Sequence, residues 1–216
     1  DPQICVLTSV EFDHADIFPD LQAVENAFAQ LVASIPRHGL LIANADDPGA
    51  SRLSQEASSR LVTYGFQDPA QYRVDKADYG VGATRFIVSG PRGFKASFNS
   101  PLAGAHNLSN TLAMVALAHE LGLDTGTTQQ ALTTFKGVRR RQEVRGEPGG
   151  VTVIDDYAHH PTAVQATLEA LRLFYGDRRL WAIFEPRTNS SKRRVFQERY
   201  ATVFHAADLV LIKEPP

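Results

Sequence analysis

Several clusters of polar side chains occur where a strand-like run gives way to a loop or a helix. The first places Glu11, Asp13, His14 and Asp16 within six residues, just after an apolar run at 4–7. Ligands of open α/β sheets bind beyond the carboxyl ends of the strands, and hard cations such as Mg²⁺ take oxygen ligands. These groups could hold Mg²⁺ or a phosphate-bound metal, but acidic turns are common, so this cluster taken alone favours a capped turn before the next helix.

Two further clusters offer amide and guanidinium groups. Asn107 and Asn110 follow Gly104 at the start of a helical pattern. Spacing alone favours Asn107 as the N-cap of that helix. The functional alternative is that both amides meet the edge of adenine, since an amide donates and accepts in one plane. Gly137 precedes three arginines at 139–141. A planar guanidinium suits phosphate oxygens, and solvated arginines on a loop are the alternative there.

The fourth cluster, at 155–162, reads Asp-Asp-Tyr-Ala-His-His-Pro-Thr and again separates a strand from a helix. A carboxylate here can accept hydrogen bonds from ribose hydroxyls, and an aromatic or imidazole ring can pack on a base. A helix cap made by Asp or Thr is the alternative. Because adjacent side chains diverge, we expect no metal site at the pair His159 and His160.

The fifth cluster, at 184–194, reads Phe-Glu-Pro-Arg-Thr-Asn-Ser-Ser-Lys-Arg-Arg. Its positive charges precede a predicted helix and oppose the helix macrodipole, which favours an anion docked at this loop over a simple basic helix start. Three common motifs are missing from the sequence: G-x-x-x-x-G-K-[ST], G-x-G-x-x-G and G-x-S-x-G.

Hydrophobic periodicity predicts an α/β fold that positions these clusters. The first 65 residues alternate strand and helix, as in a parallel sheet with helices on its faces. Alternating segments after residue 70 predict a small antiparallel meander, and a second β-α-β run follows. The predicted strands are 4–7, 39–43, 61–64, 72–79, 84–89, 93–98, 151–154, 180–184 and 208–212. The predicted helices are 21–35, 51–57, 107–122, 127–135, 161–171 and 192–207.

Composition limits the class of protein. Of the 216 residues, 43% are hydrophobic and 21% are charged, which excludes a disordered tail, a fibre or a coiled-coil rod. No apolar run approaches the about 20 residues of a membrane span, and no signal peptide is visible. Cys5 is the only cysteine, so an internal disulfide and a multi-cysteine zinc site are excluded, and we expect a cytoplasmic protein.

Charge and turn chemistry divide the chain near residue 137. The part before it carries 9 basic and 14 acidic side chains, and the part from it onward carries 13 and 10. No basic run is interleaved with aromatic residues, so we expect no nucleic-acid partner. We predict two domains, 1–137 and 138–216. The early first strand and the late last strand lead us to expect a piece of a longer protein.

Taken in chain order, these motifs resemble those of the Mur ligase family, the ATP-dependent amide-forming enzymes of peptidoglycan synthesis. The matching segments are Asp-His-Ala-Asp at 13–16, Asn-Ala-Asp-Asp-Pro at 44–48, Gly-x-His-Asn-x-x-Asn at 104–110, an arginine of the loop at 137–143, and the run at 155–162. They cover nearly the whole chain.

The resemblance implies three domains in the whole protein: a UDP-sugar domain, a central ATPase domain and a Rossmann-like C-terminal domain. Residues 1–137 would form the latter part of the central domain, and 138–216 the first part of the C-terminal one. The phosphate loop would lie upstream, so we expect this piece to be inactive alone. Many members carry a carbamylated lysine soon after the metal-binding histidine. Here the first lysine is Lys76, so that role has no candidate.

The implied cofactors are ATP and Mg²⁺. The implied reaction is phosphorylation of the lactyl carboxylate of UDP-N-acetylmuramate, followed by attack of an amine on the acyl phosphate. His14 matches the family's metal-binding histidine, Arg141 would contact the phosphates, and Asp156 would contact the ribose. The residues expected around ATP are Asn107, Asn110, Arg141, Asp156, Tyr157 and His159.

The segments 9–18 and 184–194 further resemble the family branch that joins UDP-N-acetylmuramate to the murein tripeptide L-alanyl-γ-D-glutamyl-meso-diaminopimelate in peptidoglycan recycling. The branch that adds L-alanine is the alternative, and it usually carries a His-Arg-Tyr-type loop where this chain has Pro-Arg-Thr-Asn at 186–189. The side chains expected to hold a tripeptide carboxylate are Arg187, Thr188, Asn189, Ser190, Ser191 and Lys192.

Two other classes stay open from the residues alone. A Mg²⁺- or Zn²⁺-dependent phosphohydrolase would need Asp13, His14, Asp16, His159 and His160 in one site. A nucleotide-binding regulatory module would use the same clusters without catalysis. Amide formation that requires both ATP and an amine separates the ligase from both, and the sequence does not indicate an oligomeric state.

Overall fold

The computed structural model describes residues 2–188, 191 and 193–214. Its first half contains a mixed six-stranded sheet whose strands are adjacent in chain order. The first three neighbouring pairs are parallel and the last two are antiparallel. The strands are β1 (Ile4–Leu7), β2 (Leu40–Asn44), β3 (Arg60–Gly65), β4 (Tyr72–Gly80), β5 (Ala83–Ser89) and β6 (Lys95–Ser100).

The predicted antiparallel meander is confirmed as β4, β5 and β6, but it is not a separate sheet. Tyr64 and Gly65 of β3 pair in parallel with Tyr72 and Arg73 of β4. The meander therefore extends the parallel sheet at its edge. Four helices accompany this sheet: α1 (Leu21–Ala33), α2 (Pro48–Ser54), α3 (Ala105–Glu120) and α4 (Thr125–Thr134).

β2 is buried on both faces, as expected for a strand inside a parallel sheet. Leu40 and Ile42 pack in a cluster that includes Leu112 of α3. Leu41 and Ala43 face the other side, where the cluster includes α1 and α2. Full burial of such a leucine or isoleucine contributes about 1.5–3 kcal/mol, so the two clusters fix α3 on one face of the sheet and α1 and α2 on the other.

Aspartates cap the helices on the α1 and α2 face. Asp20 accepts a hydrogen bond from the amide of Ala23 at 2.8 Å. Asp47 caps α2 through the amide of Ala50 at 2.7 Å, and the same Oδ1 atom accepts from the amide of Val10 at 3.1 Å. Because Asp47 caps and a proline follows it, α2 begins at residue 48 rather than at 51.

The start of α3 differs from the expectation. The N-cap is Gly104, with φ 91° and ψ 158°, and Asn107 lies three residues into the helix. The prediction that Asn107 caps this helix, which spacing alone favoured, is therefore wrong. Backbone angles of this kind are essentially restricted to glycine, which allows the chain to enter the helix earlier than its apolar pattern indicates.

The second half forms smaller sheets around α5. One pair of strands is antiparallel and the other is parallel. Val164 and Leu168 of α5 pack with Ala182, Val203 and Phe204 in a third core. The elements are β7 (Glu143–Gly146), β8 (Val153–Asp155), α5 (Pro161–Tyr175), β9 (Trp181–Phe184), α6 (Gln197–Tyr200) and β10 (Leu209–Ile212).

The helix predicted over 192–207 is wrong in extent. Among the described residues, a 3₁₀ turn at Arg194–Phe196 leads into α6, which ends at Tyr200, and turns follow. Neither short helix has a side-chain cap, and the positive charges of Arg193 and Arg194 oppose the helix dipole. Within the described part of the chain, no helix is long and apolar enough to cross a membrane.

Candidate functional site

A cleft of about 1070 Å³ lies between the two halves of the chain. Its walls come from the segment after β1, one face of α1, the start of α3, the loop that begins at Gly137 and the first turns of α5. Ligand sites are typically clefts of about this size, in which a few polar groups converge. The lining residues predicted for metal or ATP binding are His14, Asn107, Asn110, Arg141 and Asp156.

His14 lies in a tight turn on the first-half wall. Its φ is 51°, a left-handed conformation that few non-glycine residues adopt. The amides of Ile17 and Phe18 donate to its carbonyl at 2.8 and 2.9 Å, and its own amide donates to Oδ1 of Asp13 at 2.6 Å. These bonds fix the backbone from which the imidazole projects.

The described residues contain no group of three or more His, Cys, Asp or Glu side chains that could hold a metal ion. Mg²⁺ commonly binds through one or two protein groups and keeps water and phosphate ligands. His14, with Asp13 beside it, could therefore supply the one or two protein ligands of a Mg²⁺ site whose other ligands are water and phosphate. A metal held by side chains alone, as the phosphohydrolase interpretation requires, does not fit the described part of the chain.

Asn107 is held by the protein through its amide nitrogen. Nδ2 donates to the carbonyl of Ala103 at 2.8 Å and to Oε1 of Gln142 at 3.3 Å. The group that Asn107 can offer a ligand is therefore its carbonyl oxygen. Asn110 lies three residues further along α3, on the same helix face, and is exposed at the cleft.

Gln142 connects the two walls of the cleft. Its Nε2 lies 3.3 Å from Nε2 of His106, and its backbone amide donates to Oδ2 of Asp156 at 2.8 Å. Burial lowers the pKa of His106, and the charge of Asp156 opposes this only in part. Because the amide nitrogen can only donate, a hydrogen bond at this contact requires the His106 tautomer that carries its proton on Nδ1.

Asp156 and Tyr157 stabilise the second-half wall. Both carboxylate oxygens of Asp156 already accept backbone amides, the second from Ala158 at 2.7 Å. The guanidinium groups of Arg140 and Arg141 lie 4.9 and 5.4 Å from the centre of the Tyr157 ring. Cation–π contacts at this range are attractive. They hold Arg141 at the cleft, although Tyr157 itself is not among the lining residues.

The two histidines at 159–160 approach the acids after β1. Nε2 of His159 lies 3.8 Å from Oδ2 of Asp13, and Nδ1 of His160 lies 3.5 Å from Oε2 of Glu11. His160 is only 7% exposed, and its Nε2 has no hydrogen-bond partner among the described residues. The structure thus joins the two regions that the phosphohydrolase interpretation needed, but as separate pairs rather than as a metal cluster.

The described part of the loop predicted to bind a carboxylate does not line the cleft. Among its described members, Arg187 is exposed, and neither it, Thr188 nor Ser191 lines the cleft. Thr188 and Ser191 bond to each other: the amide of Thr188 donates to Oγ of Ser191 at 3.0 Å, and Ser191 returns a bond to the Thr188 carbonyl at 3.0 Å. Asn189, Ser190 and Lys192 lie outside the described residues.

Sequence reasoning did not select Gln142 or His106 as site residues. One signal for Gln142 was available in the sequence: it directly follows the three arginines, and its side-chain amide can both donate and accept hydrogen bonds. His106 lies beside Asn107 in the matched motif. Their contact joins residues 36 positions apart, which local patterns do not reveal.

Family models match most of the chain. The model of the Mur ligase middle domain matches residues 1–118, and that of the Mur ligase glutamate ligase domain matches residues 140–216. The predicted boundary at 137 lies between these ranges and stays a prediction.

Curated relatives and solved structures agree with these models. The UDP-N-acetylmuramate–L-alanine ligases of Salinibacter ruber and Desulfitobacterium hafniense are 39% and 37% identical, over 99% of this chain and 45% and 47% of theirs. The chain therefore spans about half the length of these relatives. A murein peptide ligase from Psychrobacter arcticus is 30% identical, with a TM-score of 0.67 over 99% of this chain and 44% of that one.

A MurF ligase from Thermotoga maritima in complex with ADP shares the fold, with a TM-score of 0.82 at 20% identity over 99% of this chain and 49% of that one. The fold, the order of the motifs and the two family models agree, and the chain belongs to the Mur ligase family.

Proposed function

We propose that this chain carries the nucleotide-binding cleft of an ATP-dependent amide ligase that acts on UDP-N-acetylmuramate, with L-alanine as the amine substrate. The cleft carries the proposal, because amide, guanidinium, carboxylate and imidazole groups from both halves line one cavity. Relatives named for L-alanine ligation are 39% and 37% identical to it. They favour L-alanine over the tripeptide expected from the segments 9–18 and 184–194.

The nucleotide would lie across the two walls. The carbonyl oxygen of Asn107 and the amide of Asn110 suit the edge of adenine. Asp156 would accept from the ribose hydroxyls, and its two backbone amide bonds keep the carboxylate in place for that contact. Tyr157 and His159, which stand next to this wall, would complete the surroundings of ATP.

The residues at the phosphate end act by position and charge. Phosphoryl transfer needs alignment of the reacting groups and neutralisation of the phosphate charge, rather than a covalent protein nucleophile. Arg141 would hold phosphate oxygens while the lactyl carboxylate attacks the γ-phosphorus and ADP leaves. The amine then attacks the carbonyl carbon of the acyl phosphate, and inorganic phosphate leaves. Mg²⁺, when bound with His14 as a ligand, would neutralise phosphate charge.

Tripeptide ligation is a second candidate function. The murein peptide ligase at 30% identity favours it, as does the Pro-Arg-Thr-Asn run at 186–189. Under this alternative, Arg187 would bind a tripeptide carboxylate, for which a bidentate guanidinium is suited. The exposed position of Arg187, away from the cleft lining, suits a long substrate better than free L-alanine.

The deciding experiment measures amide product in the full-length enzyme with ATP, UDP-N-acetylmuramate and either L-alanine or the tripeptide. We expect product with L-alanine and none without ATP. ATP hydrolysis that does not require the amine would contradict the ligase, and no product with either amine would favour a binding module.

Arg187→Ala separates the two amine substrates. If the tripeptide is used, the variant should lower its selectivity by roughly 10- to 100-fold, because a hydrogen bond to a charged group contributes about 1.5–3 kcal/mol. ATP binding should stay unchanged. A lower Tm with equal losses for all substrates would indicate that the loop is only structural.

A further inference from the structure

Three consecutive residues of the first half, Glu11, Phe12 and Asp13, each contact the second half; we name them the 11–13 bracket. Oε1 of Glu11 accepts from Oγ1 of Thr162 at 2.6 Å and from a terminal nitrogen of Arg199 at 3.0 Å. The same Arg199 nitrogen donates to Oγ1 of Thr162 at 2.8 Å. The three side chains form a closed triangle across the two halves.

An aromatic contact lies beside this triangle. The rings of Phe12 and Phe196 stack with their centres 6.0 Å apart, and the His160 ring meets Phe196 edge-on at 5.1 Å. Phe196 is only 2% exposed. Charged contacts at partly exposed positions are individually weak, so we expect the Glu11 contacts to act together with this buried aromatic contact rather than alone.

Glu11 also places a negative charge at the start of α5, which has no acidic residue in its first turn. The N-cap residue His160 makes no side-chain capping bond. Negative charge at a helix N-terminus is stabilising. Glu11 brings that charge from the other half of the chain, so α5 is completed only when the two halves are docked.

The bracket lies directly before His14, which projects into the cleft. We propose that Glu11 is a positioning residue: through Thr162 and Arg199 it docks the second half and so sets the separation between His14 and the cleft groups Arg141 and Asp156. The catalytic meaning of this role rests on the proposed function. The docking itself does not depend on it.

The test measures the distance between the halves in this chain. Spin labels at Met114→Cys on α3 and Leu173→Cys on α5, both about half exposed, are read by double electron–electron resonance in a Cys5→Ala background. We expect one narrow distance in the parent and a broader, longer distribution in Glu11→Gln. A parent-like distribution in Glu11→Gln would overturn the proposal.

Glu169→Gln is the matched control. Glu169 lies on α5, and its contacts with Gln165 at 2.9 Å and His205 at 3.3 Å stay within the second half. It should keep the parent distance, and equal broadening in this control would also overturn the proposal. Should Glu11→Gln not fold, Thr162→Val removes the hydroxyl at similar volume and should shift the distance in the same direction.

A charge exchange separates positioning from general destabilisation. Glu11→Arg and Arg199→Glu should each broaden the distribution, and the double variant should narrow it again because the pair is restored in reverse. Absence of rescue would contradict the pairing.

In the full-length enzyme, Glu11→Gln should lower kcat more than it raises the KM for ATP. If the unsubstituted full-length enzyme showed no ligase activity, the proposed function would be refuted. The distances between the two halves would still test the docking role of Glu11.

Discussion

Among single residues, His14 is the one on which the predicted metal chemistry depends. In the full-length enzyme, His14→Ala should lower kcat by about 100-fold or more, because a charge-neutralising metal contributes several kcal/mol to the transition state. His38→Ala removes an exposed histidine that does not line the cleft and should leave kcat unchanged. Parent-like turnover of His14→Ala at saturating Mg²⁺ would contradict the role.

His160 gives a second prediction, on the pH dependence of stability. Burial lowers its pKa, and the charges of Glu11 and Asp13 offset this only in part. The unfolded chain therefore takes up the proton first as the pH falls below about 6.5, and the folded state loses stability there. One such group contributes a slope of at most about 1.4 kcal/mol per pH unit.

The measurement is urea unfolding of this chain between pH 7 and pH 5. His160→Gln should flatten the decrease in unfolding free energy, whatever its effect at pH 7. His38→Gln serves as the control for an exposed histidine and should keep the parent slope. A His160→Gln slope equal to the parent's would show that His160 does not bind fewer protons in the folded state.

Residue types at strand ends could be predicted from the sequence, and their contacts could not. The spacing placed His14 after a strand and Asp156 before a helix, and both line the cleft. Gln142 has a φ of 50°, and its partners depend on that turn and on the approach of α3. No local sequence pattern indicates the backbone turn at Gln142 or the approach of α3, so the contacts of Gln142 became evident only in the structure.

Among the elements, the junction of α3 with α5 depends on one glycine. A Cβ on Gly104 would lie 2.3 Å from Cβ of Ala170, and φ there is +91°. Gly104→Ala should therefore lower the unfolding free energy by about 2–6 kcal/mol, since backbone strain costs about 1–3 kcal/mol and overpacking about 1–3 kcal/mol. Thermal unfolding measures this loss of stability, and ATP titration measures whether the cleft still binds the nucleotide.

Two further variants separate strain from contact. Gly122 also has a positive φ, of +77°, but nothing lies within 4 Å of an added Cβ, so Gly122→Ala reports mainly the backbone cost. Ala170→Gly should recover part of the loss when combined with Gly104→Ala, although alone it costs about 1 kcal/mol in a helix. No recovery in the double variant would mean that contact with Ala170 is not the cause.

Elements with strong hydrophobic patterns were predictable, and those set by caps or long-range docking were not. β2 and α1 follow from apolar runs and spacing, and the structure confirms both. α2 begins earlier than its pattern because Asp47 caps it. The segment after residue 192 carried a helical pattern, but it has no side-chain cap, and only a short α6 forms.

At the scale of the whole molecule, the site belongs to neither half alone. His14, Asn107 and Asn110 come from the part before residue 137, whereas Arg141 and Asp156 come after it. The sequence suggested this division through the charge difference between its two parts and the turn chemistry near residue 137. It did not indicate that the 11–13 bracket would dock on α5, because the contact of Glu11 with Arg199 spans 188 positions.

A ligand that contacts both halves should hold them together, which gives the last prediction. ATP should raise the Tm of the full-length enzyme, because a ligand that binds only the folded state stabilises it by mass action. In Arg141→Ala the affinity for ATP should fall by about 10- to 100-fold, the factor for a lost bond to a charged group, and the Tm increase should shrink. Arg145→Ala is the matched control, since Arg145 pairs with Glu143 at 2.9 Å and does not line the cleft. Equal ATP affinity in the two variants, measured by isothermal titration, would place the phosphates away from Arg141 and remove the reason for ATP to join the halves.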